Sequence, residues 1–277
     1  PHTKLLTSLS LLLGTTITIS SNHWVMAWTG LEINTLAIIP MISKSHHPRA
    51  IEATIKYFLV QATASIMLLF SSTTNAWFSG QWDITQMTHP TSCLILTTAI
   101  AMKLGLVPFH FWFPEVLQGT SLATALLLST LMKLPPLTLL LLTSHSLNPT
   151  LLTTMAISST ALGGWMGLNQ TQIRKILAFS SISHLGWMTA ITLYSPKLTL
   201  LTFCLYITMT TSVFMTFNVT KTTNLPTMMT SWTKAPMLNT TLMLTLLSLA
   251  GLPPLSGFLP KWLILQELVN QELTPEA

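Results

Sequence analysis

The sequence predicts an all-α, polytopic membrane helix bundle of about nine spans. Three observations carry that expectation. Charged residues are 7% of the 277, against roughly 25% in an ordinary soluble domain. The 12 Lys+Arg and 7 Asp+Glu are too few to cover a water-facing surface, while 49% of the chain is hydrophobic. Apolar runs near the roughly 20-residue length of a bilayer-spanning helix recur along the chain. The cations between those runs fall on one side of the topology that the runs define. Together these features exclude a soluble globular enzyme, a basic nucleic-acid-binding domain and a disordered chain. Threonine supplies about one residue in six. Its hydroxyl can bond a carbonyl one turn back, which makes it tolerable within lipid.

The apolar stretches run over 3–20, 23–43, 50–71, 91–112, 120–142, 148–168, 172–194, 198–219 and 236–264. Turn chemistry separates them at Ser20-Ser21-Asn22, His46-His47-Pro48, Asn148-Pro149, Asn169-Gln170 and Ser195-Pro196. The longest polar connection is 72–90, whose Trp77 and Trp82 suit a membrane–water interface. If nine spans alternate, one side receives Lys4, Lys44, Arg49, Lys56, Arg174, Lys175, Lys221 and Lys234. The other receives Lys197, with Asp83, Glu267, Glu272 and Glu276. That eight-to-one split of cations is what the positive-inside rule expects of a correct count. It places the N-terminus on the cytoplasmic or matrix side. The opening at Pro1 and the polar tail after Gln266 read as a trimmed piece of a longer chain.

Two stretches carry the same interruption. Gly105-Leu106-Val107-Pro108 is followed at Pro114 by Glu115, and Gly251-Leu252-Pro253-Pro254 at Pro260 by Lys261. The copies are offset by 146 residues and lie in the fourth and ninth stretches, which cross in opposite directions. Gly/Pro-interrupted spans at matching places in two halves point to an inverted repeat. Helix breaks are therefore expected at Gly105 and Pro108 and at Gly251, Pro253 and Pro254.

Charges inside spans stand out against this background: Glu32, Lys103, Lys133 and Lys261. Each costs at least ~2.5–3.5 kcal/mol at the bilayer centre, so each needs a partner or water. Lys103 precedes Pro108, Lys133 precedes Pro135-Pro136 and Lys261 follows Pro260. A proline frees a backbone carbonyl one turn earlier, which can solvate an ammonium. One bridge such as Glu32 with Lys103 would serve as a structural pairing. Four such groups beside two breaks fit a proton or ion path better.

His184 is central in the seventh stretch and His110 sits at the first break. Each is a proton relay or a satisfied buried imidazole. Lys56, four residues after Glu52, reads as a helix-surface pair whose lysine reaches the interface. His46, His47, His89 and His145 are loop residues. Cys93 and Cys204 are isolated in apolar runs and form no metal or disulfide pattern. Gly163-Gly164-Trp165-Met166-Gly167 lacks a preceding strand and reads as helix packing rather than a phosphate loop.

Four segments carry a family resemblance. They are Trp28-Thr-Gly-Leu-Glu-Ile-Asn34, Lys103-Leu-Gly-Leu-Val-Pro-Phe-His-Phe-Trp-Phe-Pro-Glu115, Asn169-Gln-Thr-Gln-Ile-Arg-Lys-Ile-Leu-Ala-Phe-Ser-Ser-Ile-Ser-His-Leu-Gly186 and Gly251-Leu-Pro-Pro-Leu-Ser-Gly-Phe-Leu-Pro-Lys-Trp262. With them the whole chain resembles the antiporter-like membrane subunits of respiratory complex I. The resemblance implies two inverted five-helix repeats, each with one discontinuous helix. The first covers residues 1–145, and the second covers 146–277, incomplete at its C-terminal end. It implies proton-channel roles for Glu32 with Lys103, for Lys133 as the connecting lysine and for Lys261 in the second half. His184 falls on the central hydrophilic axis. It further implies no cofactor and no metal on this chain, with NADH, FMN, iron–sulfur clusters and ubiquinone on other subunits. The expected partners are other membrane-arm subunits and the lipid bilayer, with no nucleic acid. The expected location is the mitochondrial inner membrane, N-terminus in the matrix. The alternatives are an Mrp-type cation/proton antiporter subunit and a purely structural scaffold.

Overall fold

The structure, a computed structural model, describes residues 2–43, 47–233 and 235–271, with side chains from Leu5 onward. The Lys4 side chain, Lys44, His46, Lys234, Glu272 and Glu276 lie outside the described residues. Thirteen α-helices occur among the described residues. The first part of the chain forms α1 (His2–Ser20), α2 (Trp24–Ile42), α3 (Pro48–Ser79), α4 (Pro90–Leu104), α5 (Trp112–Gly119), α6 (Leu122–Ser129) and α7 (Leu134–Thr143). The rest forms α8 (Pro149–Leu168), α9 (Ile173–Ile191), α10 (Pro196–Thr220), α11 (Leu225–Ser231), α12 (Pro236–Ala250) and α13 (Phe258–Asn270). Four segments are long and apolar enough to cross a membrane by length and composition: Trp24–Ile42, Pro48–Ser79, Leu122–Ser146 and Pro196–Thr220.

The turn residues do the capping their chemistry suggests. His47 and Asn148 accept the backbone N–H two residues on, and Pro48 and Pro149 take the first helical position. A proline there loses no intrahelical bond and presets φ. Threonine hydroxyls turn back onto their own helices, as in Thr15 to the Leu12 carbonyl (2.8 Å) and Thr18 to the Thr15 carbonyl (2.8 Å).

Three departures from expectation have physical reasons. Residues 72–79 belong to α3 rather than to a polar connection. Ser71, Ser72 and Thr74 donate to carbonyls three or four residues back, so they do not interrupt the helix. Gly80, at φ 70°, ends it. The 120–142 stretch is not one helix. It unwinds at Thr130 and passes through a 3-10 turn, Leu131–Lys133, before α7. Pro135 and Pro136 supply no N–H to continue a helix from upstream. Finally, α11 forms where a loop was expected, closed by a reciprocal cap between Asn224 and Thr227.

Burial is inverted relative to a water-soluble protein. Along α3, Ile51, Ile55, Phe58, Leu59, Ile66 and Phe70 are exposed, while Thr54, Gln61, Ser65, Ser71, Ser72 and Asn75 are buried. An apolar outer stripe over a polar inner one is the pattern lipid selects. Small residues bring helices close. A Cβ on Gly30 of α2 would lie 2.9 Å from the Gly14 carbonyl of α1, and one on Gly186 of α9 would lie 2.9 Å from the Ala156 carbonyl of α8. Gly163 also packs on α9, whereas Gly164 faces open space. The glycine cluster is thus partly a packing device, as read from the sequence.

The halves share one core. Phe113, Val116 and Leu117 of α5 pack in a cluster with Leu177 and Ile182 of α9 and Val213 and Phe214 of α10. At one end of the bundle, Arg49, Lys56, Glu115, Gln118 and Lys175 line a common recess. Backbone bonds pair two sets of turns. Trp24 N–H donates to the Trp82 carbonyl (3.1 Å) and Ile84 N–H to the Asn22 carbonyl (3.0 Å). Ile173 N–H donates to the Thr223 carbonyl (3.2 Å) and Leu225 N–H to the Thr171 carbonyl (3.1 Å).

Asn75 organises the connection after α3. Its Nδ2 donates to the Gln86 carbonyl (3.1 Å), and its Oδ1 accepts the N–H groups of Thr88 (3.2 Å) and His89 (3.4 Å). Replacing it with alanine removes three part-buried hydrogen bonds, each worth about 0.5–1.5 kcal/mol. Asn75→Ala is expected to raise protease sensitivity within 80–89 without changing overall helix content, as checked by limited proteolysis and circular dichroism.

Candidate functional site

Two helix breaks organise the interior. At the first, α4 ends at Leu104, Gly105 takes φ 74° and helix resumes at Trp112. At the second, α12 ends at Ala250, Gly251 takes φ 82° and helix resumes at Phe258. The left-handed conformation at both positions is open to glycine at low cost. Each break removes the downstream donors for the last helical carbonyls.

A lysine replaces them in both places. Lys133 Nζ donates to the Leu104 carbonyl at 2.5 Å. Lys261 Nζ donates to the Ala250 carbonyl at 2.9 Å. Leu104 and Ala250 occupy the same place in the two sequence copies, 146 residues apart. The lysines reach them differently. Lys133 comes from the 3-10 turn between α6 and α7, whereas Lys261 comes from α13, just beyond its own break.

Lys133 is buried, with 2% of its surface exposed. Its ammonium lies 4.1 Å from the Phe113 ring centroid and 5.3 Å from that of Trp112. These aromatic faces attract a cation without neutralising it. Both rings belong to α5, so the helix after the break builds the cage for the lysine that caps the helix before it.

Lys103 is also buried, and its Nζ has no hydrogen-bond partner among the described groups. It lines a cavity of about 20 Å³ with Asn34, Tyr57, Gln61 and Lys133, which is room for a water molecule at this scale. Glu32 acts on Lys103 and Tyr57 electrostatically. No ion pair joins Glu32 to Lys103 among the described residues. The direct pairing weighed from the sequence is thus replaced by a looser arrangement. Glu32 accepts a 3.2 Å bond from the Thr35 hydroxyl, while Lys103 lines the cavity.

In the second half, His184 and Lys261 line another cavity of about 20 Å³ with Thr202, Met209 and Pro260. Lys261 acts electrostatically on His184. The structure therefore gathers the predicted residues into two groups, Glu32 with Lys103 and Lys133, and His184 with Lys261. His110 is buried within the first break, its ring 4.2 Å from that of Phe111, and does not line the cavity of either group.

Several contributors were missed from the sequence. Lys56 pairs with Glu52 as expected (2.5 Å) but also with Glu115 of α5 (2.6 Å). Arg174 of α9 donates to the carbonyls of Thr120 (2.6 Å) and Gln118 (3.3 Å), closing the C-terminal end of α5. Trp112 and Phe113 stood inside a quoted motif, but a cage around a residue 20 positions away leaves no local signal.

The sequence profile of the family described as NADH:quinone oxidoreductase/Mrp antiporter, TM, matches residues 21–274. Proteins called NADH-ubiquinone oxidoreductase chain 2 from Struthio camelus and Gallus gallus are 77% and 75% identical over all 277 residues, which span 80% of each relative. The chain belongs to the NADH:quinone oxidoreductase/Mrp antiporter family of membrane proteins. A chain of respiratory complex I from Thermus thermophilus with bound aureothin superposes with a TM-score of 0.87 at 27% identity. The match covers 96% of this chain and 63% of that one. A chain of the Mrp complex from Dietzia sp. DQ12-45-1b superposes at 0.85 with 16% identity, over 98% of this chain and 55% of that one. That likeness concerns the fold alone.

The two glycine positions separate conformational cost from site geometry. Gly80 has φ 70° and open space around its Cβ direction, whereas a Cβ on Gly251 would lie 2.9 Å from Lys261 Nζ. Either alanine substitution pays about 1–2 kcal/mol for the left-handed backbone. Gly251→Ala is expected to increase hydrogen exchange across 247–261 as Lys261 is displaced. Gly80→Ala should leave that segment at the wild-type rate.

Proposed function

We propose that the chain is a proton-translocating membrane subunit of respiratory complex I. It couples NADH-to-ubiquinone electron transfer to proton movement across the mitochondrial inner membrane. The observation that carries the proposal is the use of one lysine at each helix break, buried Lys133 and half-buried Lys261, to hold the last helical carbonyl. A lysine so placed is both a structural cap and a proton carrier. A charge-assisted hydrogen bond is worth ~1.5–3 kcal/mol and a neutral one ~0.5–1.5 kcal/mol. Losing the lysine proton therefore loosens the break, and regaining it tightens the break.

In this reading, residues 1–145 and 146–277 belong to two inverted repeats. About nine spans cross the membrane, and α4/α5 and α12/α13 are its two discontinuous ones. Support comes from the matching glycine caps and lysine–carbonyl bonds. It comes also from the paired turns, which by the alternating topology lie on opposite sides. The recess shared by Arg49, Lys56, Gln118 and Lys175 agrees with the side that the charge split assigns to them. That side is the matrix, which also takes the N-terminus.

Electron transfer on other subunits perturbs the charge at Glu32 and Lys103. Two charges 10 Å apart interact by about 1.7 kcal/mol at an effective dielectric of 20. One tenfold change in a protonation equilibrium takes about 1.4 kcal/mol, so Coulomb coupling between groups about 10 Å apart is large enough to carry a signal. Moving one charge against the potential costs ~2.3 kcal/mol per 100 mV, which the redox reaction must supply. The chain moves protons and holds no redox group of its own. Its partners are the other membrane-arm subunits and the surrounding lipid.

Lys103→Met tests the proposal, because the ammonium it removes has no hydrogen-bond partner to orphan. The complex should assemble in normal amount on a native gel. Its coupled NADH:ubiquinone turnover should fall about tenfold, a modest cost for losing a proton-transfer group. Unchanged turnover and protons per NADH in an intact complex would reject proton transfer through this chain. Loss of assembly before loss of pumping would favour the scaffold.

A further inference from the structure

We propose that the recess shared by Glu52, Lys56 and Glu115 is the matrix-side proton-uptake site that supplies the Lys103 cavity. This rests on the proton-translocating reading above.

A pump that draws protons from the matrix needs a place where water reaches a proton acceptor close to the buried path. Two helices, α3 and α5, supply both sides of such a place. At the end of the bundle they line a recess of about 360 Å³ with Glu52, Lys56 and Glu115. Deeper in, the same two helices line the Lys103 cavity with Tyr57, Gln61 and Trp112. Gln61 is five residues after Lys56 and Glu115 is three after Trp112, which is about 7.5 and 4.5 Å of helix rise. The open recess and the buried cavity are thus about one turn apart along each helix. Between them Tyr57 and Trp112 meet edge to face, ring centroids 5.8 Å apart.

Access changes across that aromatic layer. The side chains of Glu52, Lys56 and Glu115 are 61%, 40% and 51% exposed, whereas Tyr57 and Lys103 are buried. Lys56 Nζ lies 2.5 Å from one Glu52 oxygen and 2.6 Å from one Glu115 oxygen, so one ammonium holds two proton-accepting carboxylates side by side. Arg49 of α3 and Lys175 of α9 are the other charged groups that line the recess. Three cations to two carboxylates give it a small positive excess, which draws anionic buffer as well as water to the carboxylates. On the inner side, Lys103 Nζ and Trp112 Nε1 have no hydrogen-bond partner among the described groups. Both can donate to a water in the cavity.

The transfer is balanced. A matrix buffer acid gives its proton to a Glu115 or Glu52 carboxylate oxygen. The new O–H bond breaks as the proton passes by water across the aromatic layer to the Lys103 amine, which has given its own proton to the path. The carboxylate is restored, the buffer has lost one proton and Lys103 has regained one. The same three side chains also tie α5 to α3, so uptake and tie need separate variants.

The test measures coupled turnover of assembled complex in inside-out inner-membrane vesicles, whose matrix face meets the medium. Rates are normalised to the amount of complex by mass spectrometry. Glu52→Gln combined with Glu115→Gln is expected to lower turnover at least about threefold at about pH 8.5, where proton donors are scarce, and little at about pH 6.5. Added imidazole, a small mobile proton donor, should restore at least half of the alkaline loss. Lys56→Met, which cuts the tie and keeps both carboxylates, should keep the wild-type pH dependence. The same alkaline loss in Lys56→Met, or an equal loss at both pH values untouched by imidazole, would assign the effect to the tie and overturn the uptake site. Wild-type rates in the double variant, with Lys103→Met impaired, would overturn uptake here while leaving the pump. Wild-type rates in both would overturn the pump itself. If the double variant fails to assemble, either single glutamine variant is expected to show the imidazole-sensitive alkaline loss, and its absence overturns the site.

Discussion

Two bonds between a lysine ammonium and the last carbonyl of a helix close the two helix ends in this structure. A helix end exposes carbonyls that water would satisfy in a soluble protein. Inside a bilayer no such water is at hand, and an orphaned carbonyl costs several kcal/mol. Lys133 and Lys261 meet that need at Leu104 and Ala250. The same bonds make the ammonium groups tolerable in a poorly polarisable interior. Each partner solves the other's problem, which explains why interrupted helices and buried charges occur together here. Because a lysine proton can leave, the solution is reversible.

The rest of the molecule is arranged around keeping those bonds geometrically defined. The short helix after the first break supplies Trp112 and Phe113 to the Lys133 cage. That helix is tied on two sides, by Glu115 to Lys56 of α3 and by the Gln118 and Thr120 carbonyls to Arg174 of α9. The first tie lies within one half and the second crosses to the other. Close helix crossings at Gly14, Gly30, Gly163 and Gly186 leave little freedom for the flanking spans. Along α3 apolar side chains point outward, and many hydroxyls turn onto their own backbones. The second break is less enclosed, since Lys261 is only partly buried while Lys133 is almost wholly so.

Much of this was legible in the sequence because membrane constraints act locally. The starts of α3 and α8 follow from the His-Pro and Asn-Pro turns, which became N-caps and first helical residues. The breaks followed from Gly-x-x-Pro in two copies, and both glycines took the left-handed cap. Glu32, Lys103, Lys133 and Lys261 stand out in the sequence by the cost of charge in lipid, and His184 by its central place in an apolar stretch. What the sequence concealed was long-range or compensated locally. The continuation of α3 through 72–79 was hidden by serines and threonines that look like loop residues yet bond their own helix. The unwinding at 130–133 followed from Pro135 and Pro136, whose effect falls upstream of them. Arg174 acts through contacts with Gln118 and Thr120, more than fifty residues distant in each case. No periodicity or spacing could have marked it.

The central claim is that Lys133 must both cap a carbonyl and give up a proton. Arginine separates the two duties, because its guanidinium donates hydrogen bonds but stays charged under all physiological conditions. The most direct measurement is the coupled turnover and proton yield of assembled complex carrying Lys133→Arg. The account predicts normal assembly, wild-type hydrogen exchange across the first break, and turnover at roughly a tenth of wild type or less. Wild-type turnover and proton yield in that variant would contradict it, and would leave Lys133 as a structural cap alone.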